Sequence, residues 1–237
     1  MKKHSIIFSV FLLLVLSHSY SQNENVTIGI VGEKFPDFTL NTYQGDQLST
    51  SDLRGKNILL ISSRGKYNDA YWCGICFYQY AELADLELTQ NIRDKYNMEI
   101  LFLLPYSKDT ISSWVKNFPG GLAYIEHVKY PANPEKLSDE QKSWMNFART
   151  HYPKTFNYND NEVPLPLPIL VDDKQEVSKG LDLMRMEWGG TETLQNVPAV
   201  YFIDKDGILR FKYISQSTID RPSTEYILNV IESILGD

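Results

Sequence analysis

A third cysteine is missing from this sequence, and that absence bounds its chemistry. The 237 residues hold two cysteines, both inside Trp72-Cys73-Gly74-Ile75-Cys76. A structural zinc site takes four ligands, usually from a second cysteine pair or two closely spaced histidines. Of the four histidines, His4 and His18 fall in the first 21 residues, and His127 and His151 are too far apart to form such a pair. No metal ligand set is therefore expected. Exported proteins often use disulfides as staples across long loops. A bridge between Cys73 and Cys76 closes almost no loop and would remove little entropy from the unfolded chain. The pair calls for a chemical reason, not a structural one.

Positive charge is also scarce. Lysine and arginine number 23 against 30 acidic residues, for a net charge of -7. Such a balance argues against nucleic acid or anionic lipid as partners. After Leu16 there is no apolar run approaching the roughly 20 residues that a membrane-spanning helix needs. Internal repeats and low-complexity tracts are absent as well.

What is present starts with a targeting segment. Lys2 and Lys3 precede Ile6 to Leu16, apolar apart from Ser9, and then Ser17-His18-Ser19-Tyr20-Ser21. A basic start, a short apolar core and a small-x-small ending describe a secretory signal. Cleavage after Ser21 would leave Gln22 as the new N-terminus, and the mature chain is expected in the periplasm or outside the cell. Residues 22–237 have about the length of one domain.

Hydrophobic patterning then gives the elements. Ile58 to Ile61 and Ile100 to Leu104 are continuous apolar runs, the pattern of buried central strands. Between them Cys76, Tyr80, Leu83 and Leu86 recur at helical spacing, which predicts a helix from Gly74 to about Tyr96. Strand, helix and strand make a right-handed unit with a parallel pair. Thr110 to Phe118 reads as a helix ended by Pro119-Gly120-Gly121, and Ser138 with Gln141 as a capping box opening another. Residues 119–166 hold few regularly spaced apolar positions and read as an insertion, with Pro153 to Pro168 a long loop. Leu167 to Val171 is a short strand and Asp172 to Met186 a helix broken by Gly189-Gly190. Val200 to Asp204 and Ile208 to Ile214 form a hairpin about Lys205-Asp206-Gly207. A last helix runs from a Ser223 cap to Leu235. The expected fold is α/β: a central mixed sheet with helices on both faces, plus the insertion.

Cys-x-x-Cys beside a strand–helix–strand unit reads as a redox pair. The first cysteine sits at a helix N-terminus, where unpaired N–H groups and the helix dipole favour an anion. Such a site lowers a thiol pKa from roughly 8.5 into the range of about 3.5–7.5. Cys73 is thus the attacking thiol, and Cys76, three residues on, faces the same way and resolves the mixed disulfide. The alternative of two inert core cysteines fits this context poorly. Trp72, with Tyr67 and Tyr71, offers an apolar platform for a partner or simply shields the thiols. Val197-Pro198, just before a strand, is expected to face Cys73 with a cis bond, leaving the Val197 backbone free to pair with an extended substrate. Glu82 and Asp69 are candidate proton carriers, more readily read as solvated charges, and Arg221 reads as a cation flanking the last helix.

These motifs resemble a known family. Phe35-Pro36-Asp37-Phe38-Thr39-Leu40 with Gly45, Leu48 to Leu53 and Gly55-Lys56 resembles the opening of the redoxins, which include the alkyl hydroperoxide reductase/thiol-specific antioxidant proteins. Trp72-Cys73-Gly74-Ile75-Cys76 with Glu82-Leu83 is similar to exported thioredoxin-like reductases, as is Val197 to Asp204 with Gly207. Asp220-Arg221-Pro222-Ser223 is more like a peroxiredoxin. The resemblance implies a thioredoxin-like three-layer fold and thiol oxidoreductase activity without a cofactor. Peroxiredoxins carry Pro-x-x-x-Thr/Ser-x-x-Cys to position peroxide. Counting back from Cys73 those positions are Lys66 and Ala70; from Cys76 they are Asp69 and Cys73. The peroxiredoxin arginine before the late strand is matched by Pro198. On these residues thiol–disulfide exchange with exported proteins ranks first, with an upstream dithiol donor as a second partner. A peroxiredoxin-type thiol peroxidase is the alternative, and a non-catalytic adaptor is third.

Overall fold

The computed structural model describes residues 29–158 and 163–236. The expected signal segment and the cleavage point before Gln22 lie outside the described residues. Nine strands and seven helices are formed among the described residues. Strands β1 (Thr39–Thr42), β2 (Gln47–Ser49), β3 (Asn57–Ser62), β4 (Met98–Leu104), β5 (Ile169–Val171), β8 (Ala199–Ile203) and β9 (Leu209–Ile214) make one sheet in the order β2-β1-β5-β4-β3-β8-β9. The pairs β3–β4 and β4–β5 are parallel, and β3–β8 and β8–β9 are antiparallel. This is the mixed sheet that the apolar runs imply. β3 is buried along its whole length, as a continuous apolar strand at the centre of a covered sheet must be.

Alternation along β3 and β4 sorts the core into two. Leu59, Ile61, Ile100, Phe102 and Leu104 face helices α1 (Gly74–Gln90), α3 (Lys108–Lys116), α4 (Phe118–Lys129) and α7 (Thr224–Gly236). Ile58, Leu60, Leu101 and Leu103 face the other way, against Phe35 of the lead-in, Val177 of the short α6 (Glu176–Gly180), and Leu181 and Leu183. Helix α1 stops where Asn91 turns left-handed at φ 49°, and α2 (Ile92–Lys95) carries the chain into β4. The Ser138–Gln141 capping box opens α5 (Asp139–His151), with both reciprocal bonds made.

Two local expectations are corrected. Pro119-Gly120-Gly121 does not end a helical region: α4 begins at Phe118 and runs through all three residues. Proline is tolerated in the first helical turn, where its missing N–H has no partner to lose. Gly121 is required by packing, since a Cβ there would lie 2.1 Å from the Phe77 ring of α1. The stretch read as a helix from Asp172 to Met186 is instead the five-residue α6 followed by strand β6 (Met184–Trp188). β6 pairs antiparallel with β7 (Thr191–Asn196) as a separate hairpin. Its turn is Gly189-Gly190, with φ of 60° and 78°, the positive values that a tight hairpin demands of both central residues.

The residues of the expected insertion carry α4 and α5. Phe118, Leu122 and Ile125 of α4 and Ala148 of α5 join the same core as α1.

Candidate active site

The site is built at the C-terminal end of β3. Ser62 and Ser63 are buried there, and Asn196 Nδ2 ties them to the end of β7 by bonds to Ser62 Oγ (2.7 Å) and Ser63 O (2.9 Å). The chain then turns at Gly65, whose φ of 73° places it flat on the Tyr106 ring. Tyr106 Oη accepts the Lys66 N–H at 2.9 Å and packs edge-on against Trp72 at 5.4 Å. Asn68 Oδ1 accepts the N–H groups of Ala70 and Tyr71, which closes the loop as an Asx turn. The loop returns to Gly65 through the Cys73 N–H, which donates to Gly65 O at 2.8 Å.

Cys73 is the N-cap of α1, in extended conformation, and its carbonyl accepts the Cys76 N–H at 3.1 Å. Both thiols are free and buried, Cys73 at 5 % exposure and Cys76 at 1 %. The hydrogen bond from the Cys76 thiol is the strongest influence on Cys73. With the positive charges of Arg221 and Arg64, it outweighs burial and holds Cys73 down at about 5. Burial, reinforced by the bond it gives to Cys73, pushes Cys76 well above the ordinary thiol range. Two cysteines three residues apart are therefore unlike: one a thiolate at neutral pH, the other a protonated thiol beside it.

Two arginines complete the site; the sequence reading passed over Arg64 and took Arg221 only as a cation flanking the last helix. Arg221 Nη2 lies 3.7 Å from Cys73 Sγ, and its Nη1 donates to Thr218 O. This corrects the reading of Arg221 as a mere helix-flanking cation: the turn that caps α7 brings it back over the N-terminus of α1. Arg64, at 5 % exposure, donates from Nε to Gln195 Oε1 at 2.8 Å and from Nη2 to Thr191 Oγ1 at 3.0 Å. Its guanidinium also lies 5.0 Å from the centre of the Trp188 ring. The β6–β7 hairpin thus serves as the cradle of Arg64. The one sequence signal concerned Arg221, which stands inside the quoted Asp220-Arg221-Pro222-Ser223 motif before α7; Arg64 stood in no quoted motif.

The other nominated residues fall differently. Trp72 is half-buried beside Cys73, with Lys66 Nζ 5.2 Å from its ring centre. Tyr67 and Tyr71 stack at 6.0 Å. Together with Gly74, Phe77 and Tyr124 these three aromatics line a groove of about 320 Å³. Asp69 is exposed. Glu82 accepts a hydrogen bond from Thr224 Oγ1 at 2.5 Å, and burial raises its carboxyl. Val197 and Pro198 sit at the same sheet end as the thiols, since the adjoining Ala199 pairs with Ser62. The expected cis bond is not formed: all peptide bonds among the described residues are trans. Trans is the default even before proline; the Val197 N–H donates to Leu183 O at 2.8 Å, and Pro198 O accepts from Ser215 N at 2.9 Å. Both groups extend the local strand pairing, and both residues are buried.

The chain is similar to known proteins over most of its length. Residues 31–212 match the sequence pattern of the family described as the AhpC/TSA family. A peroxiredoxin of Thermoplasma volcanium is 24 % identical over 207 residues, which cover 86 % of this chain and 74 % of the relative. The reduced 2-Cys peroxiredoxin of Plasmodium vivax superposes with a TM-score of 0.54 at 16 % identity, over 87 % of this chain and 82 % of that one. A cysteine-to-serine mutant of peroxiredoxin 6 from Arenicola marina gives 0.52 at 18 % identity, over 87 % and 73 %. The two structural likenesses bear on the fold, which is thioredoxin-like.

Proposed function

The chain belongs to the AhpC/TSA family, and from that premise we propose that this oxidoreductase is a thiol peroxidase that carries out its oxidative half-reaction within one chain. One observation carries the reading: the sulfur held as a thiolate is 5 % exposed and has a guanidinium on it. A peroxide is small enough to reach such a sulfur and gains from the donors around it. A disulfide in a folded protein is not.

In the first step the Cys73 thiolate attacks one peroxide oxygen. The S–O bond forms, the O–O bond breaks, and the departing oxygen takes a proton to leave as water or an alcohol. Arg221 keeps the sulfur anionic before attack, and its charge stabilises the negative oxygen that leaves. In the second step the Cys76 sulfur attacks the sulfenic sulfur of Cys73, a disulfide forms, and its thiol proton departs with the hydroxyl as water. A dithiol donor then supplies two electrons and two protons to restore both thiols.

The exchange of disulfides with other proteins, first in rank on sequence alone, becomes the second reading. It loses ground because the Val197 N–H, the group expected to pair with an extended substrate, already bonds Leu183 O. In its favour stand Lys66 and Ala70 at the peroxide-positioning places, and the aromatic groove of about 320 Å³ beside Gly74.

The reduced chain should be given hydrogen peroxide, an organic hydroperoxide and an insulin-type disulfide in parallel. Fast peroxide consumption is expected, and Cys76→Ser should still be oxidised once and accumulate a trappable sulfenic acid. Insulin reduction with peroxide reactivity no greater than that of a free thiol would return disulfide exchange to first place.

A further inference from the structure

The loop that delivers Cys73 is held at its root by Tyr106, a residue for which the proposed cycle has no task. Tyr106 follows β4. The chain leaves that strand in a tight turn at Pro105, where the Tyr106 N–H donates back to Leu104 O at 2.9 Å. The next residue, Ser107, caps α3 by accepting the Thr110 N–H. A side chain mounted between a buried central strand and a capped helix stands on rigid elements.

Tyr106 meets the loop after β3 at Gly65. A Cβ on Gly65 would lie 2.4 Å from Tyr106 Cε2, and the Gly65 φ of 73° suits glycine alone without strain. The phenol oxygen accepts the Lys66 N–H at 2.9 Å and donates to Arg64 O at 3.4 Å. It thus spans the two peptide groups that flank the Gly65 Cα. The second of these groups holds both the Lys66 N–H and the Gly65 carbonyl. In a planar trans peptide the N–H and the C=O point opposite ways. Fixing the Lys66 N–H on Tyr106 therefore aims the Gly65 carbonyl away from the phenol, and that carbonyl accepts the Cys73 N–H at 2.8 Å. Lys66 and Trp72 pair as an antiparallel bridge, and Trp72 closes on the Tyr106 ring at 5.4 Å.

Lys66 stands where the peroxide-positioning motif, counted from Cys73, has proline. Proline carries no N–H, so a proline there could not bond the phenol. The departure from the motif and the Tyr106 contact are one arrangement. Burial pushes the Tyr106 phenol up to about 12, so it keeps its proton for Arg64 O at neutral pH.

We propose that Tyr106 is the positioning residue of the nucleophile: its hydroxyl orients the Gly65–Lys66 peptide, and that peptide fixes the Cys73 main chain so that the sulfur stands 3.7 Å from Arg221 Nη2. The inference deepens the peroxidase reading and rests on Cys73 being the sulfur that reacts. Tyr106 touches neither peroxide nor sulfur in this role. It acts through Gly65 alone.

Tyr106→Phe tests this, because the ring stays against Gly65 and Trp72 while the oxygen goes. Three quantities are to be measured on the reduced chain: the melting temperature, the pH midpoint of Cys73 alkylation by iodoacetamide, and the rate of Cys73 oxidation by hydrogen peroxide. The midpoint should rise, because the released sulfur drifts from Arg221. Oxidation above both midpoints should slow roughly 10- to 100-fold, the penalty of misplacing a reacting group by about 1 Å. A parental midpoint would overturn the proposal whatever the melting temperature does, and would give Tyr106 a purely structural role. A parental chain that does not react with peroxide would refute the peroxidase reading, while the alkylation midpoint of Tyr106→Phe would still decide the role of Tyr106.

Discussion

Arg221 Nη2 stands 3.7 Å from Cys73 Sγ across 148 positions of sequence, and the contact joins the last helix to the first turn of α1. A cation at this range favours the thiolate, so removing it should raise the acid limit of Cys73. In Arg221→Gln the midpoint of thiolate formation, now about 5, should climb by roughly 1–3 units, the usual effect of losing one close opposite charge. The rate of iodoacetamide alkylation against pH measures it. An unmoved midpoint would mean that the Cys76 hydrogen bonds and Arg64 set the value without Arg221.

The same titration acts on stability. Cys73 is held below its unfolded value, so its thiolate stabilises the fold above the ordinary thiol range, and that contribution is lost as pH falls toward about 5. Cys76 is raised, so its contribution is present below the ordinary thiol range and is lost as pH rises above it. Between pH 5 and 8 the Cys73 effect dominates. The urea midpoint of the reduced chain should rise over that interval, and Cys73→Ser should flatten the rise.

Packing of α1 on α4 depends on one glycine. A Cβ at Gly121 would lie 2.1 Å from the Phe77 ring, whereas at Gly120 it would meet nothing within 4 Å. Gly121→Ala should destabilise the chain by about 1–3 kcal/mol, the cost of overpacking. Gly120→Ala should be neutral or stabilise by up to about 1 kcal/mol, through helix propensity. Thermal melts of the two variants give opposite signs if this contact is as close as described.

Arg221 is also reachable from a distance. A Cβ at Gly189, where φ is 60°, would lie 2.3 Å from Thr218 Cγ2, and Thr218 O accepts from Arg221 Nη1. Gly189→Ala should push Thr218 and its arginine together. The alkylation midpoint of Cys73 should shift, although the substitution touches neither cysteine. A midpoint equal to that of the parent would show that the hairpin turn and Arg221 are mechanically independent.

Much of the fold was legible because its signals are local. Ile58 to Ile61 and Ile100 to Leu104 could only be covered strands. Ser138 with Gln141 could satisfy a helix start without help from elsewhere. Gly207 supplied the positive φ of its hairpin, at 81°. The failures came where distant packing overrode local preference. Met184-Arg185-Met186-Glu187-Trp188 is rich in helix formers, yet it lies as β6 because Gly189-Gly190 folds it onto β7 and because Arg64 needs the Gln195 and Thr191 oxygens of that hairpin. Gly120-Gly121 looks like a helix end until Phe77 is seen against it.

The placement of the two cysteines was decided by the sequence itself, because spacing along one helix puts Cys73 at the N-cap and Cys76 in the first turn. What surrounds the sulfur was decided only by the tertiary structure. Arg64 and Arg221 come from the loop after β3 and the turn before α7. The electrostatic reach between such groups depends on distance in space, and chain order does not encode that distance. For the same reason Val197-Pro198 could be placed at the right end of the sheet from its motif, while the occupied Val197 N–H followed from the chain entering the neighbouring hairpin, where Leu183 O claims it.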